Sequence, residues 1–279
     1  MKLSLSTRIA ESSSRKDRAD MAIEALAPAA RAAGFEGLSM RASQVSLETP
    51  PQRVAEVRRL IDAEGLAVSM VMGNIALAAN TPDAPAMLRH IGPHLDLAGR
   101  LGCKLVRVML QHEADVAATQ RAADEAAERG ISLAQQTHWG TLCETVEQSL
   151  DVVARVGRRN FGITFEPANL LACGERDLNV AVQRLAPHIL NFYYQNVRLD
   201  PAGSHRFPTR LRGVVHIRYV PLDAPSDIPA GPLIECLKRS GYDGWVTVHQ
   251  PLLDGQAVSD AIAEAARVFG PLVWPQQSR

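Results

Sequence analysis

Glu64-Gly65-Leu66-Ala67-Val68-Ser69-Met70 is the stretch on which the fold turns. A charged helical segment stops at a glycine, and a β-prone apolar run begins at the next residue. Glycine takes the left-handed backbone conformation that ends a helix, and a strand buried on both faces reads as a short apolar run. The junction recurs along the chain. Ala33-Gly34-Phe35-Glu36-Gly37 leads into Leu38-Ser39-Met40, and Leu101-Gly102 into Lys104-Leu105-Val106-Arg107-Val108. Arg129-Gly130 leads into Ile131-Ser132-Leu133, and Val156-Gly157 precedes Phe161-Gly162-Ile163-Thr164-Phe165. The last, Ser240-Gly241-Tyr242-Asp243-Gly244, opens Trp245-Val246-Thr247-Val248.

These six junctions, with an opening strand at 2–6 and another at 188–194, make eight strands, each followed by a helical pattern. Helix starts are marked by Thr49-Pro50, Thr81-Pro82, Thr141 and Asp177. Regular β–α alternation means a parallel sheet, closed or doubly wound. No G-x-G-x-x-G follows the first strand, which favours a closed (β/α)8 TIM barrel over an open Rossmann-like sheet. The chain has 279 residues, and barrels of this kind need about 250. No linker divides it, so a single domain is expected over 1–279. The longest irregular stretch, 198–213, runs into Val214-Val215-His216-Ile217-Arg218-Tyr219, so 198–219 reads as a long loop with a hairpin over the pocket.

Thirty basic residues balance thirty acidic ones, which gives no electrostatic reason to expect a nucleic acid partner. Cys103, Cys143, Cys173 and Cys236 are scattered without C-x-x-C pairing, against a disulfide framework or structural zinc and in favour of a reducing compartment. Arg8 interrupts the first apolar run, leaving no signal-peptide core, and no stretch approaches the length of a membrane span. A cytoplasmic protein without membrane partner or nucleotide cofactor is expected. Outer helices of such barrels often pack together, which leaves a homodimer open.

In a barrel of this type the chemistry sits where strands end and βα loops begin. Those positions carry Thr7-Arg8, Arg41, Gly73-Asn74, Gln111-His112-Glu113, Gln136-Thr137-His138-Trp139, Glu166-Pro167-Ala168-Asn169, Gln195-Asn196-Val197-Arg198 and His249-Gln250. Amides, imidazoles and guanidiniums bind hydroxyls, carbonyls and oxyanions through directional hydrogen bonds. Any one of them alone would read as a helix cap or a solvated loop residue; together they point to a small polyhydroxylated carbonyl substrate. Trp139 is placed to stack on a sugar face while His138 donates to a hydroxyl, or else to pack the loop. Arg198, His205, Arg206, Arg210 and Arg212 make either a solvated basic loop or a lid for an anionic group, the latter helped by Arg41. His216 and Arg218 would share one face of the hairpin.

Three stretches, ISLAQQTHWGTL (131–142), FGITFEPANL (161–170) and GYDGWVTVHQP (241–251), resemble segments of the xylose-isomerase-like barrels, which include sugar phosphate isomerases and epimerases. The resemblance covers almost the whole chain. It implies a divalent metal (Mn, Mg or Zn) held by Glu, Asp, His and Glu on strands five to eight. Those positions here read Gln136, Glu166, Phe192 or Tyr193, and His249. Gln is a weak ligand for hard cations and Phe is none.

Two alternatives follow. Glu166, His249 and Gln136 hold a metal if a third strong ligand such as His138 or His216 reaches in, since a catalytic site needs three protein ligands. Otherwise Glu166 and His249 act without metal as the pair that moves a proton next to a carbonyl, with Gln136, His138, Asn169 and Asn196 placing hydroxyls. The family and these residues imply an isomerase or epimerase first and a keto-sugar lyase or dehydratase second. A degenerate sugar-binding barrel comes third. The family's endonuclease branch relies on a dense metal-ligand set that this chain lacks.

Overall fold

The computed structural model describes residues 1–12 and 14–274. Its strands are β1 (Lys2–Ser6), β2 (Gly37–Arg41), β3 (Ala67–Met72), β4 (Leu105–Val108), β5 (Ser132–Gln136), β6 (Phe161–Phe165), β7 (Ile189–Tyr194), β8 (Val197–Leu199), β9 (His205–Thr209), β10 (Gly213–Tyr219) and β11 (Trp245–Val248). β1 to β7 and β11 run parallel and close into an eight-stranded barrel. The seam is β1, which pairs with β2 through Leu5 and Leu38 and with β11 through Leu3 and Val246. All six junction glycines have positive φ, from 59° at Gly157 to 94° at Gly34, as the helix-to-strand turns require.

Each helix lays an apolar stripe on the barrel. In Pro51–Ala63 the buried positions are Val54, Val57 and Ile61, the spacing of one helical face. Asp177 caps Leu178–Leu185 through the Val180 N–H at 3.0 Å, as expected. Two other start signals fall differently. Thr81-Pro82 leads only into a 3-10 turn, Ala84–Arg89, and the helix begins at Gly92. Thr141 donates to the His138 carbonyl at 2.7 Å, and Thr145 makes the capping box that starts Val146–Val156.

Side chains alternate along every strand, so half of each strand points to the axis. On β7 this settles the register: Phe192 stacks on Phe165 and Tyr194 packs at a tilt against Phe269, behind the sheet, while Asn191 and Tyr193 face inward. The lower barrel is lined by small polar groups that bond to one another, Ser4 with Ser69 at 2.7 Å and Thr247 donating to Asn191 Oδ1 at 3.0 Å. The mouth lies above them.

Between β7 and the following helix, β10 pairs antiparallel with both β8 and β9 in a small separate sheet. Glu144, buried beside β5, accepts from the backbone of Arg210 (2.7 Å), Leu211 (3.2 Å) and Gly140 (2.7 Å). That carboxylate pins the hairpin tip across the mouth. No helix among the described residues is long and apolar enough to cross a membrane.

Candidate active site

Glu166 follows β6 and is the N-cap of the helix Pro167–Cys173, a position that fixes its carboxylate at the mouth. It is fully buried. The Gln136 amide lies 3.4 Å from its Oε2, and its Oε1 has no hydrogen-bond partner among the described residues. Burial pushes the carboxyl up to about 7; the Gln195 amide and the Arg8 and Arg107 guanidiniums pull the other way and only partly offset it.

His249, at the end of β11, shares a 2.8 Å hydrogen bond between its Nδ1 and Ser6 Oγ and stacks on Tyr193 at 4.0 Å. Burial and then Arg8 hold it well below the usual imidazole range, so it is neutral near pH 7. Burial and then Arg107 push His138 down to about 3. Its Nδ1 lies 2.7 Å from the Trp139 carbonyl, so Nδ1 carries the proton and Nε2 is an acceptor. The expected donation from His138 to a substrate hydroxyl is thereby reversed: this ring accepts.

Three guanidiniums complete the mouth. Arg41, on β2, makes a bidentate pair with buried Glu11 at 2.6 and 3.0 Å, and Lys16 reaches the same carboxylate at 3.1 Å. Arg8, just past β1, donates to Gln195 Oε1 and, at 3.2 Å, to the hydroxyl of Tyr219 on β10. Arg107, on β4, is 3 % exposed; it reaches only Met72 Sδ at 3.4 Å and Asn80 Oδ1 at 3.5 Å, and its Nε has no partner. Desolvation lowers Arg107 to about 9. Among the described residues, neither Arg8 nor Arg107 forms an ion pair with a carboxylate.

Gln136, His138, Trp139, Asn169, Arg41 and His249 do line one chamber of about 230 Å³, roofed by Arg8, Tyr219 and Phe207. Asn169 is anchored by donating to the Thr137 carbonyl at 3.0 Å, and Trp139 packs on Phe207 of β9 at 5.7 Å. A wider outer chamber of about 560 Å³ shares Arg8, Lys16, His205 and Tyr219 with it.

Other expected site residues are spent elsewhere. Asn196 gives its amide to the carbonyls of Pro221 (2.6 Å) and Ala224 (3.0 Å), locking the loop after β7. Arg198 is turned outward onto the Pro225 carbonyl, and His216 Nδ1 onto that of Gly203. Arg218 pairs with Asp200 at 2.8 Å on the rim of the outer chamber. Arg210 and Arg212 hold the carbonyls of Gln111 and Ala172. The expected lid of arginines is therefore mainly a fastening, of which His205 and Arg206 alone reach the inner chamber.

Arg8 and Gln195 stand among the strand ends read from the sequence but received no role there, and Arg107 was missed. Arg107 carries a readable signal: it interrupts Leu105-Val106-Arg107-Val108, and alternation places it opposite Val106 and Val108.

The donor set does not fit a divalent cation. Gln136, Glu166, Gln195 and His249 offer one carboxylate, three guanidiniums surround it, and His216, a proposed third ligand, is bonded elsewhere. Among the described residues no three His, Cys, Asp or Glu side chains cluster as a ligand set.

The sequence profile of the xylose isomerase-like TIM barrels matches residues 27–269, and the chain belongs to that family. An inosose dehydratase of Geobacillus thermodenitrificans is 25% identical over 130 residues, which are 46% of this chain and 43% of that protein. The D-psicose 3-epimerase of Clostridium cellulolyticum H10, solved with D-tagatose, superposes with a TM-score of 0.69 at 14% identity, covering 98% of this chain and 99% of that one. A xylose isomerase-like barrel from Mycobacterium smegmatis, solved in complex with magnesium, gives 0.70 at 14% identity, covering 98% and 96%. Both structural likenesses concern the fold.

Proposed function

We propose that the protein is an isomerase or epimerase of a small polyhydroxylated carbonyl compound, with Glu166 as the group that moves the proton. The observation that carries this is a fully buried carboxyl, raised to about 7, that lies beside the chamber-lining Gln136 and has one oxygen without a partner among the described residues. A base whose pKa lies near the working pH combines adequate ionisation with adequate basicity.

Glu166 takes the proton from the carbon next to the carbonyl. The C–H electron pair becomes the enediolate C=C bond, and the carbonyl electrons move onto oxygen. Arg8 and Arg107 lie about the chamber to stabilise that charge. For isomerisation the hydroxyl proton passes to the enediolate oxygen and the carbon-bound proton returns to the former carbonyl carbon; for epimerisation a proton returns to the other face of the same carbon and the carbonyl re-forms. Gln136, His138 and Asn169 place hydroxyls, and neutral His249 serves as a hydrogen-bond partner or proton relay. No step is assigned to a metal.

Elimination is the second reading. It is favoured by the inosose dehydratase similarity and by a mouth with one titratable carboxylate, which would return its proton to a departing hydroxyl. The two readings share the first step.

The test is incubation with ketoses and keto-sugars in deuterated water, followed by NMR. Solvent deuterium is expected at the carbon next to the carbonyl, and Glu166→Gln should reduce its entry by about a hundredfold to ten-thousandfold. Undiminished exchange in that variant removes Glu166 from the role. A dehydrated product transfers the assignment to the lyase.

A further inference from the structure

We infer that this site takes an oxyanion, the carboxylate or phosphate of a small polyhydroxylated carbonyl compound, and that Arg8 and Arg107 hold it where the family resemblance leads one to expect a divalent cation. The inference deepens the proton-transfer reading above and rests on it for the nature of the substrate's carbon skeleton.

Charge balance is the first argument. Of the three guanidiniums that the barrel strands β1, β2 and β4 bring to the mouth, Arg41 has its counter-charge in Glu11, at 2.6 Å. Arg8 and Arg107 have none, yet both sit within the wall of the inner chamber. Removing a cation from water without a partner is costly, so charges of this kind are normally paired. Glu166 cannot neutralise both, because burial keeps it partly protonated near pH 7.

Donor geometry is the second. Arg107 spends two of its nitrogens on weak acceptors, a thioether at 3.4 Å and an amide oxygen at 3.5 Å, and leaves Nε unpartnered. Asn80, which supplies that amide oxygen, is itself at φ 53°, unique among the described non-glycine residues. A guanidinium edge of this kind matches the two oxygens of a carboxylate or phosphate. Arg8 stands where the inner and outer chambers meet, tied to Gln195 and Tyr219, so an anion entering from the outer chamber meets Arg8 first. Lys16, His205 and Arg206 add donors along that route; Glu11, Asp20 and Asp254 line the outer chamber, and none of the three lines the inner one. Glu11 is already committed to Arg41 and Lys16.

The test is calorimetric titration of EDTA-treated, dialysed protein with D-gluconate, D-glucose 6-phosphate and the uncharged D-glucitol, and separately with Mn²⁺ alone. At least one anion should bind ten times more tightly than D-glucitol and weaken with added salt; which one does so distinguishes carboxylate from phosphate. Arg107→Gln and Arg8→Gln should each weaken that binding by roughly tenfold to a hundredfold, the value of a charged hydrogen bond. If a Gln variant fails to fold by circular dichroism, the Lys variant replaces it. That variant keeps the charge, loses the fork, and should still bind more weakly than wild type.

Equal binding of D-glucitol, no binding of either anion at millimolar concentration, or binding unchanged in the arginine variants overturns the inference. So does stoichiometric Mn²⁺ binding that Glu166→Gln abolishes. The two readings fail separately. Anion binding without deuterium entry into any bound ligand leaves the anion site and removes the proton transfer. Deuterium entry into uncharged ketoses without anion preference does the reverse.

Discussion

The two halves of the barrel mouth carry different chemistry and balance it differently. β5, β6, β7 and β11 bring Gln136, Glu166, Gln195 and His249, groups that are neutral or near mid-titration around pH 7. β1, β2 and β4 bring Arg8, Arg41 and Arg107, cations whose one ion-paired carboxylate among the described residues is Glu11. Within the second half the contrast repeats. Arg41 is compensated and belongs to the framework, whereas Arg107 is equally buried and uncompensated. Paired buried charge is architecture; unpaired buried charge is retained for a ligand.

That contrast can be broken at its strongest point first. Glu11→Gln leaves Arg41 buried without its counter-charge and should cost about 3–5 kcal/mol in urea-induced unfolding. A loss under about 1 kcal/mol would show that Lys16 and solvent share the load and that Arg41 is no framework element.

Glu166 sets the next largest effect. Its carboxyl rises from the ordinary 4.5 to about 7, so the folded protein holds this proton more tightly than the unfolded chain. Stability from this group is fully present below pH 4.5 and is lost as pH rises through about 7. The histidines act oppositely, because His138 and His249 resist protonation in the fold and penalise acid. The difference between wild type and Glu166→Gln isolates the carboxyl. It should fall by about 3 kcal/mol between those limits, and a flat difference would place the carboxyl at its ordinary pKa.

Arg107→Met should act in the other direction, raising stability by about 1–2 kcal/mol and the Tm by a few degrees while weakening ligand binding. A fall in Tm would mean that the guanidinium is compensated after all. The smallest effect tests the scaffold. Gly65 has φ 65° with nothing near its missing Cβ, so Gly65→Ala should cost only the left-handed backbone penalty, about 1 kcal/mol.

The site was legible in part, and the division follows how residues lie along the strands. Gln136, His138, Glu166, Asn169 and His249 stand where an apolar run stops, so the end of the run announces them; all but Glu166 line the chamber, and Glu166 lies buried behind Gln136. Arg107 stands inside its run, and only the alternation of inward and outward positions separates it from Val106 and Val108. Asn196, Arg198 and His216 also follow an apolar run or sit in the predicted hairpin. Their side chains are turned onto the carbonyls of Pro221, Pro225 and Gly203 by the way the hairpin folds back, which local sequence does not encode.

The junction at Gly65 and its five relatives specified the β–α alternation of the barrel, because helix termination at a left-handed glycine and burial of a parallel strand are local demands that six short stretches meet independently. The balance of charge at the mouth was decided by tertiary structure. Whether an arginine meets a carboxylate depends on residues 30 positions apart, as in Arg41 and Glu11, or on none, as in Arg107. Long-range packing alone sets which buried charges are paired, and with them the chemistry this barrel is built to receive.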